Sequence, residues 1–172
     1  MSVKVKQVGP QRYRETYGRN YEEFNVGDVY EHRPGRTLSE ADNTWFTLLT
    51  MNQHPLHFDA EYASRSAFGR PLVNSTLTLA IVTGMSVSDV SQKAIANLGW
   101  NDIRLTGPVF VGDTLYAESE VLAKRESASR PDAGIVTVKT TGKKADGSVF
   151  MTFERTILVA KAGHGPEEAA GY

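Results

Sequence analysis

Asn74-Ser-Thr-Leu-Thr-Leu-Ala-Ile-Val-Thr-Gly-Met-Ser-Val-Ser-Asp-Val90 opens on two good N-cap residues and then runs apolar on nearly every side. Such a segment reads as a helix buried in the middle of a fold. Downstream of residue 94 the pattern changes: residues 114–124, 134–142 and 149–160 alternate and are rich in Val, Ile, Thr, Phe and Tyr, which predicts strands. Asp146-Gly147 between the last two is a hairpin signal. A long antiparallel sheet after one all-round apolar helix predicts an α+β fold in which the sheet wraps the helix. Upstream, Thr37-Leu-Ser-Glu40 has the form of a capping box, and Ala41, Trp45, Leu48 and Leu49 share one face, so 38–50 reads as an amphipathic helix. Asp59 marks the start of a further short helix, and the Gly-Asp pairs in 24–30 and 110–116 each read as a turn feeding a strand.

The chain of 172 residues suits one domain of usual size, and 23% charged residues against 40% hydrophobic ones fits a globular protein rather than a disordered one. Nineteen Lys and Arg against twenty Asp and Glu leave a net charge of −1, so the chain as a whole exerts no pull on nucleic acid or anionic membrane. The absence of cysteine excludes disulfides, thiolate zinc sites and cysteine nucleophiles, and is consistent with a cytoplasmic setting. The first residues lack the apolar core of a signal peptide, and Leu77–Val90 is too short and too polar to span a bilayer. Residues 1–19 read as an N-terminal arm laid over the domain or a partner subunit, 20–160 as the domain, and 161–172 as a flexible tail. The arm interleaves basic residues with Tyr13 and Tyr17, a pattern that can bind single strands; the balanced charge argues against it.

Phosphate-binding glycine loops, HExxH and GxSxG are absent. Chemistry-bearing residues gather instead in Thr50-Met-Asn-Gln-His-Pro-Leu-His-Phe-Asp59, a polar loop between apolar elements. His54, His57 and Asp59 have the types of metal ligands, but Pro55 between the histidines opposes a convergent helical face, and no metal is expected. A histidine here can move protons near neutral pH; equally, both can simply hydrogen-bond the loop, and the residues alone leave these two readings open. A second feature is the start of the buried helix at Asn74-Ser75, whose unpaired N–H groups and dipole can hold a developing oxyanion or be satisfied by ordinary capping.

These segments resemble the MaoC-like hydratases of the hot-dog fold. The family loop, roughly Gly-Asp-x-Asn-Pro-Ile-His followed by an acidic residue and Tyr-Ala, is similar to Met51-Asn52-Gln53-His54-Pro55-Leu56-His57 with Asp59, Tyr62 and Ala63. Its Phe-Gly-x-Pro-Ile-x-His-Gly is similar to Phe68-Gly69-Arg70-Pro71-Leu72-Val73-Asn74-Ser75, and its Pro-Val-x-x-Gly-Asp-Thr-Leu to Pro108–Leu115. The stretches 70–100 and 124–138 resemble the mesaconyl-CoA hydratase-like branch.

The resemblance implies a single hot-dog domain, a curved antiparallel sheet round a long central helix, paired as a homodimer or a dimer of dimers. It implies an acyl-CoA hydro-lyase acting on an enoyl-CoA or 3-hydroxyacyl-CoA, with a methyl-branched C5 acid such as mesaconyl-CoA as a candidate. No metal or redox cofactor is implied, and coenzyme A arrives with the substrate. The resemblance places His57 at the catalytic histidine and the Ser75 N–H in the oxyanion hole. Asn52 stands where the family has aspartate; an amide can hold a water but cannot take its proton. Asn52 is therefore expected to position water while His57 moves the proton. His54, Asp59, Arg65, Arg70, Asn74, Arg125 and Arg130 are the candidate substrate-binding residues, the arginines for a distal carboxylate or CoA phosphates. The rival readings are a hot-dog acyl-CoA thioesterase and a non-catalytic acyl-CoA-binding protein.

Overall fold

The computed structural model describes residues 4–171. Three predicted strands lie where expected, as β5 (Thr114–Glu126), β6 (Ala133–Lys144) and β7 (Val149–Ala160), with two more, β3 (Val29–Thr37) and β4 (Ala94–Leu105). They form one antiparallel sheet in the order β3-β5-β6-β7-β4, leaving β3 and β4 as its edges. Alternation buries one face: Leu115, Ala117 and Val121 of β5, Val136 and Val138 of β6, and Phe153, Ile157 and Val159 of β7 point inward.

Across that face lies α3 (Ser75–Met85), which packs Leu77, Ile81 and Val82 onto Leu115, Ala117, Phe150 and Phe153. The fold class is the one expected, with a correction about the helix. Only one side of α3 is packed; Thr76, Ala80 and Gly84, spaced by four, stay exposed. Nor does the α-helix reach Val90. It gives way to a single π turn over Val87–Ser91, where Ser86 bonds back to the Thr83 carbonyl at 2.6 Å and polar residues replace the apolar run.

α1 (Glu40–Leu49) carries a larger correction. Its cap is Ser39 with Asp42 rather than Thr37 with Glu40, because Thr37 is consumed as the last residue of β3. Ala41, Trp45, Leu48 and Leu49 all face outward, Trp45 at 67% exposure, while Asn43, Phe46 and Thr47 turn inward. The apolar stripe is a real face of the helix, but the inner face is chosen by hydrogen bonds. The Gly112-Asp113 turn pins the entry to α1: Leu38 N–H donates to the Asp113 carbonyl at 3.0 Å and Gly112 N–H to Leu38 at 2.9 Å, with Gly112 at φ 92°.

The N-terminal arm is a hairpin, β1 (Lys4–Gly9) with β2 (Arg12–Thr16), outside the main sheet. Arg14 donates to the carbonyl of Gly171, and Arg19 reaches the Asp89 carbonyl at 2.8 Å while its guanidinium sits 3.8 Å over the Tyr30 ring. The last segment contains a short helical turn, α4 (Pro166–Ala169). No helix among the described residues is long and apolar enough to cross a membrane.

Under the π turn lies a polar staple. His32 of β3 is 0% exposed; its Nδ1 lies 3.2 Å from Asp89 Oδ2 and its Nε2 2.8 Å from Ser119 Oγ, which meets Thr140 Oγ1 at 2.9 Å. The order Ser119–His32–Asp89 is that of a nucleophilic triad, but Ser119 is as buried as His32, so no substrate carbonyl can reach it. Arg155 is also shut inside, donating to Ser86 Oγ at 2.9 Å, and burial pulls its pKa down to about 10. Burial likewise lowers the His32 pKa from 6.5; Asp89 opposes this, and Arg155 and Arg19 add to it.

The unfolded ring takes up a proton near its ordinary pKa and the folded ring only at lower pH, so the contribution of neutral His32 is complete above about pH 6.5 and is lost as pH falls below it. Urea unfolding across about pH 7.5 to 5 should show stability declining toward acid, and His32→Gln, weaker at the upper end, should flatten that decline. An unchanged slope in the variant would assign the decline to other groups.

Candidate active site

The start of α3 is built by a buried amide. Asn74, 3% exposed, accepts from Thr76 N–H at 3.0 Å and from Thr76 Oγ1 at 2.6 Å, satisfying one donor of the first turn. Ser75 follows as the first helical residue, exposed, with its N–H at the positive end of the helix. The segment before it is strapped on both sides: Leu72 N–H donates to the Leu56 carbonyl at 3.1 Å and Val73 N–H to Val109 at 2.9 Å.

The polar loop folds against this strap. His54 caps a single 3-10 turn, Pro55–His57, its Nδ1 accepting from Leu56 N–H at 3.2 Å. Proline at the first position presets φ for such a turn. His57 is half-buried, and its Nδ1 lies 2.8 Å from the Leu72 carbonyl. A carbonyl only accepts, so Nδ1 carries the hydrogen and Nε2 is left as the basic atom.

His57 lines a cavity of about 260 Å³ with Glu40, Asn43, Phe58, Arg70 and Phe110. A second cavity of about 320 Å³ opens at the helix start, lined by Ser75, Phe68, Leu72, Thr78, Leu105 and Phe150. Leu72 links the two: its carbonyl holds the ring of His57, which lines the first cavity, and Leu72 itself lines the second.

The structure brings together some of the residues selected from sequence and disperses others. Arg70 sits over the Phe110 ring at 3.9 Å beside His57. Asn52 stands near the loop's start, but its Oδ1 already accepts from His54 N–H at 3.0 Å, leaving its two N–H donors. Asn74 is spent on the cap, as is Asp59, whose Oδ1 accepts from Tyr62 N–H at 2.9 Å at the head of α2 (Ala60–Ser64). Arg65 pairs with Glu61 in a separate surface depression that also contains Asp59. Arg125 lies near the end of β5 opposite the Gly112-Asp113 turn, about 35 Å along the strand from Thr114, and Arg130 lies beyond that end, held by both oxygens of Asp132 at 2.9 and 2.7 Å. Within one protomer neither approaches His57.

Sequence reasoning missed Asn43. Only 2% exposed on the inner face of α1, it donates from Nδ2 to the His57 carbonyl at 2.8 Å and to the Leu72 carbonyl at 3.2 Å, and its Oδ1 accepts from Asn74 N–H at 2.9 Å. The available signal was a pair of polar residues, Asn43 and Thr47, one turn apart beside Phe46. Among the described residues, no group of three His, Asp or Glu side chains is placed to hold a metal ion.

The family model for mesaconyl-CoA hydratase matches residues 10–170. Mesaconyl-CoA hydratase of Cereibacter sphaeroides is 33% identical over 144 residues, 84% of this chain and 42% of that protein. The (R)-specific enoyl-CoA hydratase of Aeromonas caviae is 31% identical over 125 residues, 73% of this chain and 89% of that protein. The crystal structure of the MaoC-like dehydratase from Rhodospirillum rubrum superposes with a TM-score of 0.74 at 28% identity, covering 84% of this chain and 98% of that one. The chain spans 40% to 46% of the length of the first four curated relatives it matches.

Asn74 caps the helix whose first residue, Ser75, lines the second cavity. Asn74→Ala removes the acceptor for Thr76 N–H from a buried helix start and should cost about 1–2 kcal/mol in chemical denaturation. Asn74→Ser should recover most of that loss; equal losses in the two variants would show that the cap bond contributes little.

Proposed function

The chain belongs to the mesaconyl-CoA hydratase family, and from that premise we propose that it is an acyl-CoA hydro-lyase, adding water across the C2–C3 double bond of an enoyl-CoA or removing it from the 3-hydroxyacyl-CoA. The observation that supports this reading is the hydrogen bond from His57 Nδ1 to the Leu72 carbonyl, which leaves Nε2 as the basic atom of a ring that lines one cavity, while Leu72 and Ser75 line the second cavity at the start of α3. In hydration, Nε2 takes a proton from water as the water oxygen bonds to C3. The electron pair of the double bond moves toward the thioester carbonyl, whose oxygen is held at the Ser75 N–H. The imidazolium then returns the proton to C2, so one residue serves in both directions. Asn52 can hold the water through its amide N–H groups. Coenzyme A enters as part of the substrate.

Arg70 is the arginine best placed for a second carboxylate on the acyl chain, because it alone of the four shares the cavity of His57. A mesaconyl-type C5 diacid is therefore the proposed substrate. Release of free thiol from the thioester would instead favour a thioesterase.

The protomer is proposed to pair with a second copy. β4 is an edge strand carrying exposed Ile95, Leu98, Trp100, Ile103 and Leu105, more apolar surface than an edge facing water carries. Leu105 also lines the cavity at Ser75, so the pairing edge borders the site.

Loss of the enoyl-thioester absorbance with mesaconyl-CoA and crotonyl-CoA tests the chemistry. Wild type should turn over at least one of the two, and His57→Ala should be slower by about 100-fold or more. Arg70→Ala should raise KM for mesaconyl-CoA about tenfold while leaving crotonyl-CoA nearly unchanged. Full activity in His57→Ala would remove the mechanism, and equal effects on the two substrates would remove the carboxylate role of Arg70. Light scattering should give a particle of two or four times 18.9 kDa; a monomer at assay concentration would count against the pairing.

A further inference from the structure

We propose that Asn43 is a positioning residue for this site: its buried carboxamide locks the His57 ring in one tautomer and ties that ring to the start of α3. The kinetic part of the inference rests on the hydro-lyase reading above; the structural part does not.

The three hydrogen bonds of Asn43 reach three separate pieces of the site. One Nδ2 hydrogen goes to the backbone carbonyl of His57 at 2.8 Å and the other to the carbonyl of Leu72 at 3.2 Å. The oxygen receives the N–H of Asn74 at 2.9 Å. Every hydrogen-bonding group of the amide but one lone pair is used, and a flipped amide would face its oxygen to two carbonyls, so the orientation is unique. The residue is 2% exposed and its amide is taken up by its neighbours, so it acts on substrate through them.

The Leu72 carbonyl is the shared point. It accepts both from Asn43 and from the His57 ring at 2.8 Å, and it stays in place because Asn43 and the Leu72 N–H bond to Leu56 hold it from either side. Without Asn43, the His57 carbonyl and the Asn74 N–H lose their partners in a dry environment, and both segments must shift to find water or each other. The ring would then no longer be confined to Nδ1–H, and the distance from Nε2 to the Ser75 N–H would no longer be set. Catalysis is sensitive to this: a displacement of about 1 Å costs on the order of 100-fold.

The test combines a ring tautomer with kinetics. Long-range proton–nitrogen NMR of His57, at about pH 8 where an ordinary imidazole is neutral, should show a single Nδ1–H ring in the wild type and a mixture with Nε2–H in Asn43→Ala. The same variant should lose about 100-fold in kcat for the hydrated enoyl-CoA, with KM and the affinity for unreactive butyryl-CoA within about threefold of wild type. Asn43→Asp, equal in size, keeps the acceptor for Asn74 and can return at most one donor. At pH 8 its carboxylate instead sets an oxygen against the His57 and Leu72 carbonyls, so it should lose the single Nδ1–H ring and kcat at least as fully as alanine, and it carries the test alone if the alanine variant does not fold.

A single Nδ1–H ring in the variants, or a mixed ring with unchanged kcat, overturns the proposal. So does a loss of kcat matched by equal loss of butyryl-CoA affinity, which would assign Asn43 to the scaffold alone. If the wild type hydrates neither mesaconyl-CoA nor crotonyl-CoA, the function proposed above fails, and the ring tautomer still decides whether Asn43 locks His57.

Discussion

The carbonyl of Leu72 is the point from which the site hangs. It accepts from the His57 ring and from Asn43, while the N–H of the same residue is tied to Leu56 and the next N–H to Val109. Buried backbone groups must find partners, and here that general demand fixes a histidine tautomer. The strap 71–74 can do this because it has sheet-side support on one edge and the 3-10 turn on the other. Its rigidity passes directly into α3, whose cap, Asn74, shares the same amide partner.

α3 joins two polar regions of opposite character. At its N-terminus an exposed Ser75 presents an N–H where negative charge is favoured. At its C-terminal end, Ser86 receives the buried Arg155, a cation placed where the helix dipole is negative. Beyond that lies the His32–Asp89–Ser119 staple, closed to solvent at its histidine and serine. The two histidines differ in access. His32 is walled in and its charge suppressed by burial, whereas the His57 ring, tied at one nitrogen, lines a cavity. Burial of Ser119 also removes the most obvious nucleophile a thioesterase reading could have used.

Where one period governed one face, the pattern in the residues was readable. β5, β6 and β7 alternate cleanly because their inner face is buried along its length, partly under α3 and partly under Tyr21, Phe24 and Val90, and Asn74 and Asp59 were legible as caps because their side-chain oxygens bond within their own helices. α1 was misread because its inward face is polar: Asn43 and Thr47 are held by partners 14 to 31 residues away in sequence, which no local pattern encodes. Its apolar stripe, by contrast, is exposed on the protomer and belongs with the exposed side chains of β4 as surface that some other surface can cover. The four arginines could not be ranked from sequence, since their order along the chain says nothing of strand length. β5 carries Arg125, and the turn after it Arg130, away from the cavity that Arg70 shares with His57.

Asn52 stands where the MaoC-like loop pattern has aspartate, and its hydrogen bonding shows which of its groups stay uncommitted. Its Oδ1 is committed to the N–H of His54, a bond that an aspartate could make equally well with one of its two oxygens. An aspartate would then keep a second oxygen as a base, whereas the asparagine keeps two hydrogens. Those hydrogens can grip a water only by its lone pair, which orients the water's protons away from the amide and toward another acceptor. On the hydro-lyase reading that acceptor is Nε2 of His57, the one basic nitrogen that the Leu72 carbonyl leaves uncommitted. On that reading the proton work of the reaction falls to a single ring, and a ring that must both take and return a proton gains more from being held still than one that shares the work.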